Sequence, residues 1–475
     1  MPQDKQTYLQ NIDYITFSFY LALVAIGGIF IYSVDISQSG IPESFSEFLL
    51  HTQSGKQVLW ILICLLVFSF IIFVLDDKFW QVFAFLIYGG GIAGLILVLL
   101  LGTTINGATS WFAFGGFSFQ PSELAKFGTC LGVAALMSSW RIDLRNTSHI
   151  AQVTGLFMVP MALVLLQPDL GSAIVFVSFF IAMFREGLNP FIYIIGFIAA
   201  ATFILSILFA SIPLVTSLAL LCLFIYISYE NTRKARWYIG GVAYSIIVWQ
   251  AFQLDYGNYA LGTSLLLFLL MTYRQYAQHR AKVIPVIVIG FLATTAMSIA
   301  TPFVVNNVLK PHHRQRIDVW LRPSVATKNY PGSTFNLDQS KYAISAGGLI
   351  GRGIFSGRLT EGRWVPEQDT DFIFCTIGEE QGFVGSAAVV ILYMLLILRI
   401  VMIAERQQLA FNRIYAYGVA GILFTHFMVN IGMTIGLIPI IGIPLPFISK
   451  GGSSLLGFTI MIAVLLKLDK HNRRQ

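Results

Sequence analysis

The chain has 475 residues, 56% hydrophobic and 11% charged, with a formal net charge of +7 at pH 7 and a mean hydropathy of +0.75. A soluble domain carries about 25% charged residues, so composition disfavours a water-soluble enzyme, a disordered chain and a nucleic-acid binder. An all-α polytopic integral membrane protein remains, because the apolar runs are too long and too continuous for the alternating ten-residue strands of an outer-membrane barrel.

At the N-terminus, MPQDKQTYLQNID runs into an apolar segment with no small-residue cleavage site, and reads as the lead into a retained first span. A span needs about 20 mainly apolar residues. Such segments recur at 14–34, 58–75, 80–101, 121–139, 150–167, 170–184, 191–210, 213–229, 236–252, 259–273, 284–308, 384–402, 413–437 and 452–468. About 14 transmembrane helices are therefore expected, the shortest of them open to pairing as re-entrant elements. With the N-terminus in the cytoplasm, alternate connections hold Lys78, Arg141 with Arg145, Arg185, Arg233-Lys234-Arg236, Arg274 with Arg280 and Lys282, Arg406 with Arg413, and Lys470 with Arg473 and Arg474. Basic residues concentrate in cytoplasmic loops, so both termini are expected inside. Cys64, Cys130, Cys222 and Cys375 form no CxxC pair and read as small buried apolar residues.

Residues 309–371 break the charge pattern with Lys310, Arg314, Arg316, Arg322, Lys328, Lys341, Arg352, Arg358 and Arg363. Long loops translocate whatever their charge, and the Gly, Pro and aromatic content of this one predicts a large ordered extracytoplasmic loop. A basic outer loop suits an anionic substrate at the lipid headgroup level; the plain alternative is contact with anionic lipid heads. The glycine run 346–353 resembles a nucleotide loop only superficially, since no GxxxxGK[ST] occurs. The seven histidines show no metal-ligand spacing.

Four motifs carry polar chemistry. In Phe119–Lys126 (FQPSELAK), Pro121 suits the first position of a helix, and Glu123 and Lys126 share a face just inside the outer end of a span. That pair is costly unless it lines a polar cavity; the plain alternative is a capping Glu with a snorkelling Lys. Trp111 just upstream is an interfacial anchor or a sugar-stacking platform. In QPDLGS, Asp169 stands between two apolar runs, either as a functional carboxylate or as the cap of the next short helix. In WVPEQDTDFIF, Glu367, Asp369 and Asp371 crowd within five residues before the chain turns apolar. Such crowding suits a general base or a divalent cation, whereas capping by Thr370 or Asp371 explains only one of the residues. In PLPFISKGGSS, the amides that open the last span, with Lys450 beside them, suit a phosphate, though Gly-Gly before a helix is often only a turn.

In this order, FQPSELAK, QPDLGSA, NLDQSKYAISAGGLIGRG, WVPEQDTDFIFCTIGEEQGFVGS and VNIGMTIGLIPIIGIPLPFISKGGSS resemble the SEDS family of bacteria, the shape, elongation, division and sporulation proteins. The stretch between the glycine run and VPEQDTDF is more like its rod-shape members than its division members. The resemblance implies a peptidoglycan glycosyltransferase of the cytoplasmic membrane. Such an enzyme polymerises lipid II on the outer face and is paired with a class B penicillin-binding transpeptidase and other elongation proteins. It implies Asp371 as the essential acid, read as general base. It also implies substrate contacts from Trp111, Gln120, Ser122, Glu123, Lys126, Asp169, Arg314, Arg316, Gln339, Lys341, Glu367, Thr370, Ser449, Lys450 and Ser453. No cofactor is certain; a cation such as Mg2+ or Mn2+, if used, is expected on Asp371 with Glu367 or Asp369. The sequence departs from the family pattern at Asp369, where a His is common, and at Lys450, where a Tyr is common. Most members have about ten spans, so 212–283 is expected to be an insertion of about four helices within one SEDS membrane domain (1–475), with 309–371 as the catalytic loop. A lipid II flippase and a non-catalytic scaffold of the cell-wall complex are the competing readings. Carboxylates gathered on one face favour the enzyme.

Overall fold

The computed structural model describes residues 12–39, 44–105, 108–114, 117–228, 234–277, 284–309, 311–330, 332–362 and 364–472. Arg233, Arg280, Lys282, Lys310, Arg363, Arg473 and Arg474 lie outside the described residues. The elements in chain order are α1 (Tyr14–Ser39), α2 (Phe45–His51), α3 (Gln53–Phe73), α4 (Asp77–Val82), α5 (Ala84–Leu101), β1 (Thr103–Ile105), β2 (Ala108–Phe114), β3 (Phe117–Phe119), α6 (Pro121–Met137), α7 (Thr147–Leu166), α8 (Leu170–Val175) and α9 (Phe179–Arg185). There follow α10 (Pro190–Leu208), α11 (Ser211–Ser228), α12 (Lys234–Gln253), α13 (Gly257–Ala277), α14 (Ile284–Asn307), α15 (Pro311–Leu321) and α16 (Pro323–Asn329). The last are α17 (Phe335–Ala346), α18 (Arg358–Glu361), α19 (Ile373–Glu405), α20 (Ala410–Ile435) and α21 (Gly452–Asn472).

All fourteen apolar segments fall on helices, but among the described residues ten are both long and apolar enough to cross a membrane: α1, α3, α5, α7, α10, α11, α14, α19, α20 and α21. The others fail for different reasons. Helix α6 has only 17 residues, 170–185 is broken by a 3-10 turn at Phe176–Ser178, and α12 and α13 are long enough but too polar. The all-α expectation is corrected at 103–119. There an antiparallel sheet in the order β1-β2-β3 pairs Thr103 with Trp111 and Phe112 with Phe119, in a stretch of β-branched and aromatic residues that favours a pleated surface over a helix.

The chain divides into two compact units, Met1–Asn189 with Thr334–Gln475, and Pro190–Ser333. The second is wider than the expected insertion at 212–283. It also takes α15 and α16, so 309–371 is not one loop but is shared between the units. Within the second unit, α11, α13 and α14 bury Ala219, Tyr226, Phe268, Ile287 and Phe291 together. In the first unit, α20 and α21 are the most enclosed spans, with 72% and 83% of their apolar windows buried. Helix α19 is broken by Gly382 (φ 64°, ψ −158°). The broken turn pairs with the glycine run instead: Phe383 N donates to Gly348 O (2.9 Å), and Arg352 N to Glu379 O (3.1 Å). The expected span starting at 384 is the part of α19 beyond this kink.

One end of the first unit is held by a polar cluster. Buried Asp13, just before α1, accepts from Arg399 Nη2 and Arg406 Nη2, each at 2.8 Å, and Arg406 Nε reaches Asp469 at 2.8 Å. Burial alone would raise the Asp13 carboxyl, but the hydrogen bonds from the two arginines outweigh it and lower it to about 2. An unfolded Asp titrates near about 3.9, so the folded value is the lower one. The resulting stabilisation, about 2 kcal/mol, is present above about pH 4 and is lost as pH falls towards about 2. Over that window the thermal midpoint of the detergent-solubilised protein is expected to fall more steeply for wild type than for Asp13→Asn. Parallel curves would show that Asp13 is not the titrating group.

Candidate active site

The site of the first unit is built around an irregular segment, residues 437–451, between α20 and α21. Irregular backbone at membrane depth is tolerated only where its polar groups are satisfied by protein. Pro439, Pro444 and Pro446 remove three donors outright. Backbone carbonyls take the amides of Leu437, Ile438, Ile448, Ser449 and Lys450, and side chains meet much of the rest. Asn430 Nδ2 donates to Ile443 O (2.7 Å), the ring of His426 sits 3.2 Å from Pro444 O, Tyr393 Oη donates to Pro446 O, and Ser449 Oγ accepts from Leu445 N (2.7 Å). His426, Asn430 and Thr434 recur every four residues and are fully buried, so they form one polar stripe along α20.

Segment 369–371 is fastened to this framework through three consecutive carbonyls. Asp369 O accepts from Lys450 N (2.9 Å), Thr370 O from Ser449 Oγ (2.6 Å) and Asp371 O from Asn430 Nδ2 (2.8 Å). The half-buried Asp371 carboxylate lies against the backbone of Gly442, where an added Cβ would come within 3.1 Å of Oδ2. Neither Thr370 nor Asp371 caps α19, whose N-cap is Phe372 without a side-chain bond. The capping alternative is thereby removed. The carboxylates nearby are engaged elsewhere. Glu367, exposed and at φ 56°, accepts from Thr370 Oγ1 (3.0 Å), and Asp369 Oδ2 pairs with Lys450 Nζ (2.5 Å). The two departures from the family pattern are thus each other's partner, and Lys450 is committed to a carboxylate rather than set out for a phosphate. Among the described residues no group of three or more His, Cys, Asp or Glu is placed to hold a metal ion. Mg2+ is commonly held by one or two carboxylates together with water and phosphate, so a cation on Asp371 with Glu367 or Asp369 stays an expectation. Glu379 and Glu380 serve the fold: Glu379 accepts from Leu359 N, Thr360 N and Thr360 Oγ1 at 2.8–3.0 Å, and Glu380 from Ser33 Oγ at 2.5 Å.

Glu123 and Lys126 meet as the i, i+3 spacing predicts, with Nζ–Oε1 at 2.8 Å, both buried. Pro121 occupies the first turn of α6, but Glu123 is not a cap and Lys126 does not snorkel. An ammonium can only donate, so His426 Nε2, 2.9 Å from Lys126 Nζ, is the acceptor, and the ring hydrogen is on Nδ1 facing Pro444 O. The Phe458 ring, 5.3 Å from Nζ, closes the remaining side. Gln120 Nε2 donates to Asp169 Oδ2 (2.8 Å), Asp169 Oδ1 caps α8 by accepting from Ser172 N (2.9 Å), and Ser122 Oγ lies 3.5 Å from Ser172 Oγ. The capping reading of Asp169 therefore holds. Helix α8 abuts the central segment, since a Cβ on Gly171 would come within 2.7 Å of Gly442 O.

Of the remaining predicted residues, Trp111 is half-buried on β2, and Ser453 is buried in the first turn of α21. Gln339 and Lys341 stand on α17, which Ser340 Oγ fastens to Thr434 O (2.7 Å). The exposed Lys341 covers the C-terminal end of α20, because a Cβ on Gly436 (φ 82°) would be 2.8 Å from its Nζ. Arg314 and Arg316 belong to the second unit, on α15, where Arg314 Nε is 3.9 Å from Asp318. Tyr393, His426, Asn430 and Gly442 were not singled out by the sequence. The signal for two of them was the four-residue spacing of polar groups inside an apolar run.

The family of cell cycle proteins represented by FtsW, RodA and SpoVE matches residues 14–219 and 214–474. The "Peptidoglycan glycosyltransferase RodA" of Treponema pallidum (strain Nichols) is 30% identical over 98% of this chain and 99% of its own length. The "Peptidoglycan glycosyltransferase MrdB" of Escherichia coli (strain K12) is 29% identical over 80% of this chain and 75% of its own. Among solved structures, a chain of a peptidoglycan synthase complex described for its coordination of polymerization and crosslinking is 23% identical. It gives a TM-score of 0.62 over 98% of this chain and 100% of its own. The rod shape determining protein RodA of Thermus thermophilus gives 0.55 at 22% identity, over 98% and 99%. At these identities the structural likeness speaks for the fold.

Proposed function

The chain belongs to the FtsW, RodA and SpoVE family of cell cycle proteins, and from that premise we propose that it is a peptidoglycan glycosyltransferase of the rod-shape type, an integral membrane enzyme that polymerises lipid II. The observation that carries this reading is the fastening of Asp371. Three successive carbonyls are held from outside the segment, which fixes the backbone at Asp371, and its half-buried carboxylate lies against Gly442. A general base needs that combination of fixed position and access. In the reaction, a hydroxyl of the acceptor sugar attacks the anomeric carbon of the donor and gives its proton to the Asp371 carboxylate. The new glycosidic C–O bond forms as the bond to pyrophosphate breaks, and the lipid pyrophosphate leaves with the electron pair. Lys341, over the end of α20, is the assigned cation for that leaving group in the first unit.

We place Asp371 on the extracytoplasmic face and both termini in the cytoplasm, with α12 and α13 spanning the membrane beside the ten apolar helices. Their exposed aromatics support this: Trp237, Tyr238, Tyr273 and Tyr276 gather at one end of the hairpin and Trp249, Tyr256 and Tyr259 at the other, with Arg274 4.9 Å above the Trp237 ring. Aromatic girdles at both ends are what a spanning hairpin with a less apolar middle would carry. The likeness to a chain of a peptidoglycan synthase complex supports a class B penicillin-binding transpeptidase as partner.

The deciding experiment incubates the purified, reconstituted protein with lipid II, alone and with such a partner, and separates the products by size. Glycan strands are expected. Transport of lipid II without polymer would favour the flippase, and neither product would favour the scaffold. Gly442→Ala tests the geometry. The residue is at φ 78°, which strains an L side chain by about 1–2 kcal/mol, and the new methyl would meet the Asp371 carboxylate. Polymerisation is expected to fall by about 10²-fold, the size of a 1 Å misplacement, with the folded yield nearly kept. Wild-type turnover by folded Gly442→Ala would show that Asp371 does not work in this position.

A further inference from the structure

We propose that Asp369 and Lys450 are a positioning pair for Asp371, an inference that rests on reading Asp371 as the base. The pair is doubly bonded: Lys450 N donates to Asp369 O (2.9 Å) and Lys450 Nζ to Asp369 Oδ2 (2.5 Å). It joins the turn that bears Asp371 to Lys450, two residues before α21. It lies beside the other two fastenings of that turn, because Ser449, which holds Thr370 O, is the neighbour of Lys450. Asp369 is two residues from Asp371, so the ion pair sets the entry of the turn while Asn430 sets its exit.

The pair is partly exposed, 27% for Lys450 and 24% for Asp369. Water reaches and screens a pair at this depth, so it adds only modestly to stability. Its contribution is therefore to geometry, and that separates a positioning role from a structural one: turnover depends on the pair and the thermal midpoint does not. Charge adds a second reason for the match. A lone carboxylate at 369 would put negative potential where an anionic lipid pyrophosphate must bind, and Lys450 cancels it.

The test is a double-mutant cycle on the full-length reconstituted protein, with initial rates over a range of lipid II concentrations and thermal midpoints measured on the same samples. Asp369→Asn and Lys450→Met are each expected to lower kcat by about tenfold, the size of a coupling between contacting residues. Their midpoints should stay close to wild type, and Lys450→Met alone should also raise KM. Lys450→Arg, which keeps the pair, should retain most of the rate, and the reversed pair Asp369→Lys with Lys450→Asp should recover kcat to within about threefold. Single variants at wild-type kcat, or a reversed pair as slow as the two singles multiplied together, would overturn the proposal. Should Lys450→Met not fold, Asp369→Asn against Lys450→Arg carries the same comparison. Asp371→Asn is measured alongside. If it polymerises at the wild-type rate, the base reading has failed; if it is inactive while both single variants turn over normally, only the positioning pair has failed.

Discussion

Replacing Asp371 by Asn is expected to lower glycan polymerisation by about 10²–10⁴-fold, the contribution of a general base, while the protein folds and inserts as before. The second half of that expectation comes from the geometry. Three carbonyls, its own and those of Asp369 and Thr370, hold the backbone at Asp371, and a side-chain amide leaves those three bonds intact. Asn also keeps the volume beside Gly442, so the wall formed by the central segment has no reason to move. What changes is the ability to take a proton from the attacking hydroxyl. The measurement is the initial rate of polymer formation from lipid II by purified Asp371→Asn, normalised to folded protein. Turnover within tenfold of wild type, at an unchanged thermal midpoint, would remove Asp371 from the role of base.

The spans and the chemistry of the Asp371 segment were legible for the same reason: both are local. An apolar run of some 20 residues announces a helix, and three carboxylates at the mouth of such a run announce a site. What joins the parts was not legible, because the partners are far apart in sequence. Lys126 and His426 are separated by 300 residues, so the i, i+3 pair with Glu123 was visible and the third member was not. Asp369 and Lys450 are 81 residues apart; each stood out singly as a departure from the family pattern, and nothing local linked them. The small sheet at 103–119 leaves no signal in the sequence, because its strands of three to seven residues are too short for alternation to register. The division at 190 and 333 was missed because charge follows topology rather than packing. Helices α10 and α14, outside the expected insertion at 212–283, join the α11–α13 helices in the second unit.

Removing the cation of the Glu123–Lys126 pair is expected to be the most destabilising single change in the first unit. Lys126 is 0% exposed, and its ammonium is shared between Glu123 Oε1 and His426 Nε2. Lys126→Met fills nearly the same space but leaves Glu123 buried without a counter-charge, with Oε2 already lacking a hydrogen-bond partner, and strips His426 of its donor. Breaking a buried pair in this way costs about 3–5 kcal/mol, whereas replacing both members by apolar groups of similar volume is often neutral or stabilising. The double variant Glu123→Leu with Lys126→Met is therefore expected to recover most of the thermal midpoint that Lys126→Met loses, although it carries one more substitution. The comparison uses midpoints of the three proteins in one detergent at one pH. A double variant less stable than Lys126→Met would show that the pair stabilises the fold by more than its mutual attraction. An unchanged midpoint in Lys126→Met would show that Glu123 is not held as a buried carboxylate.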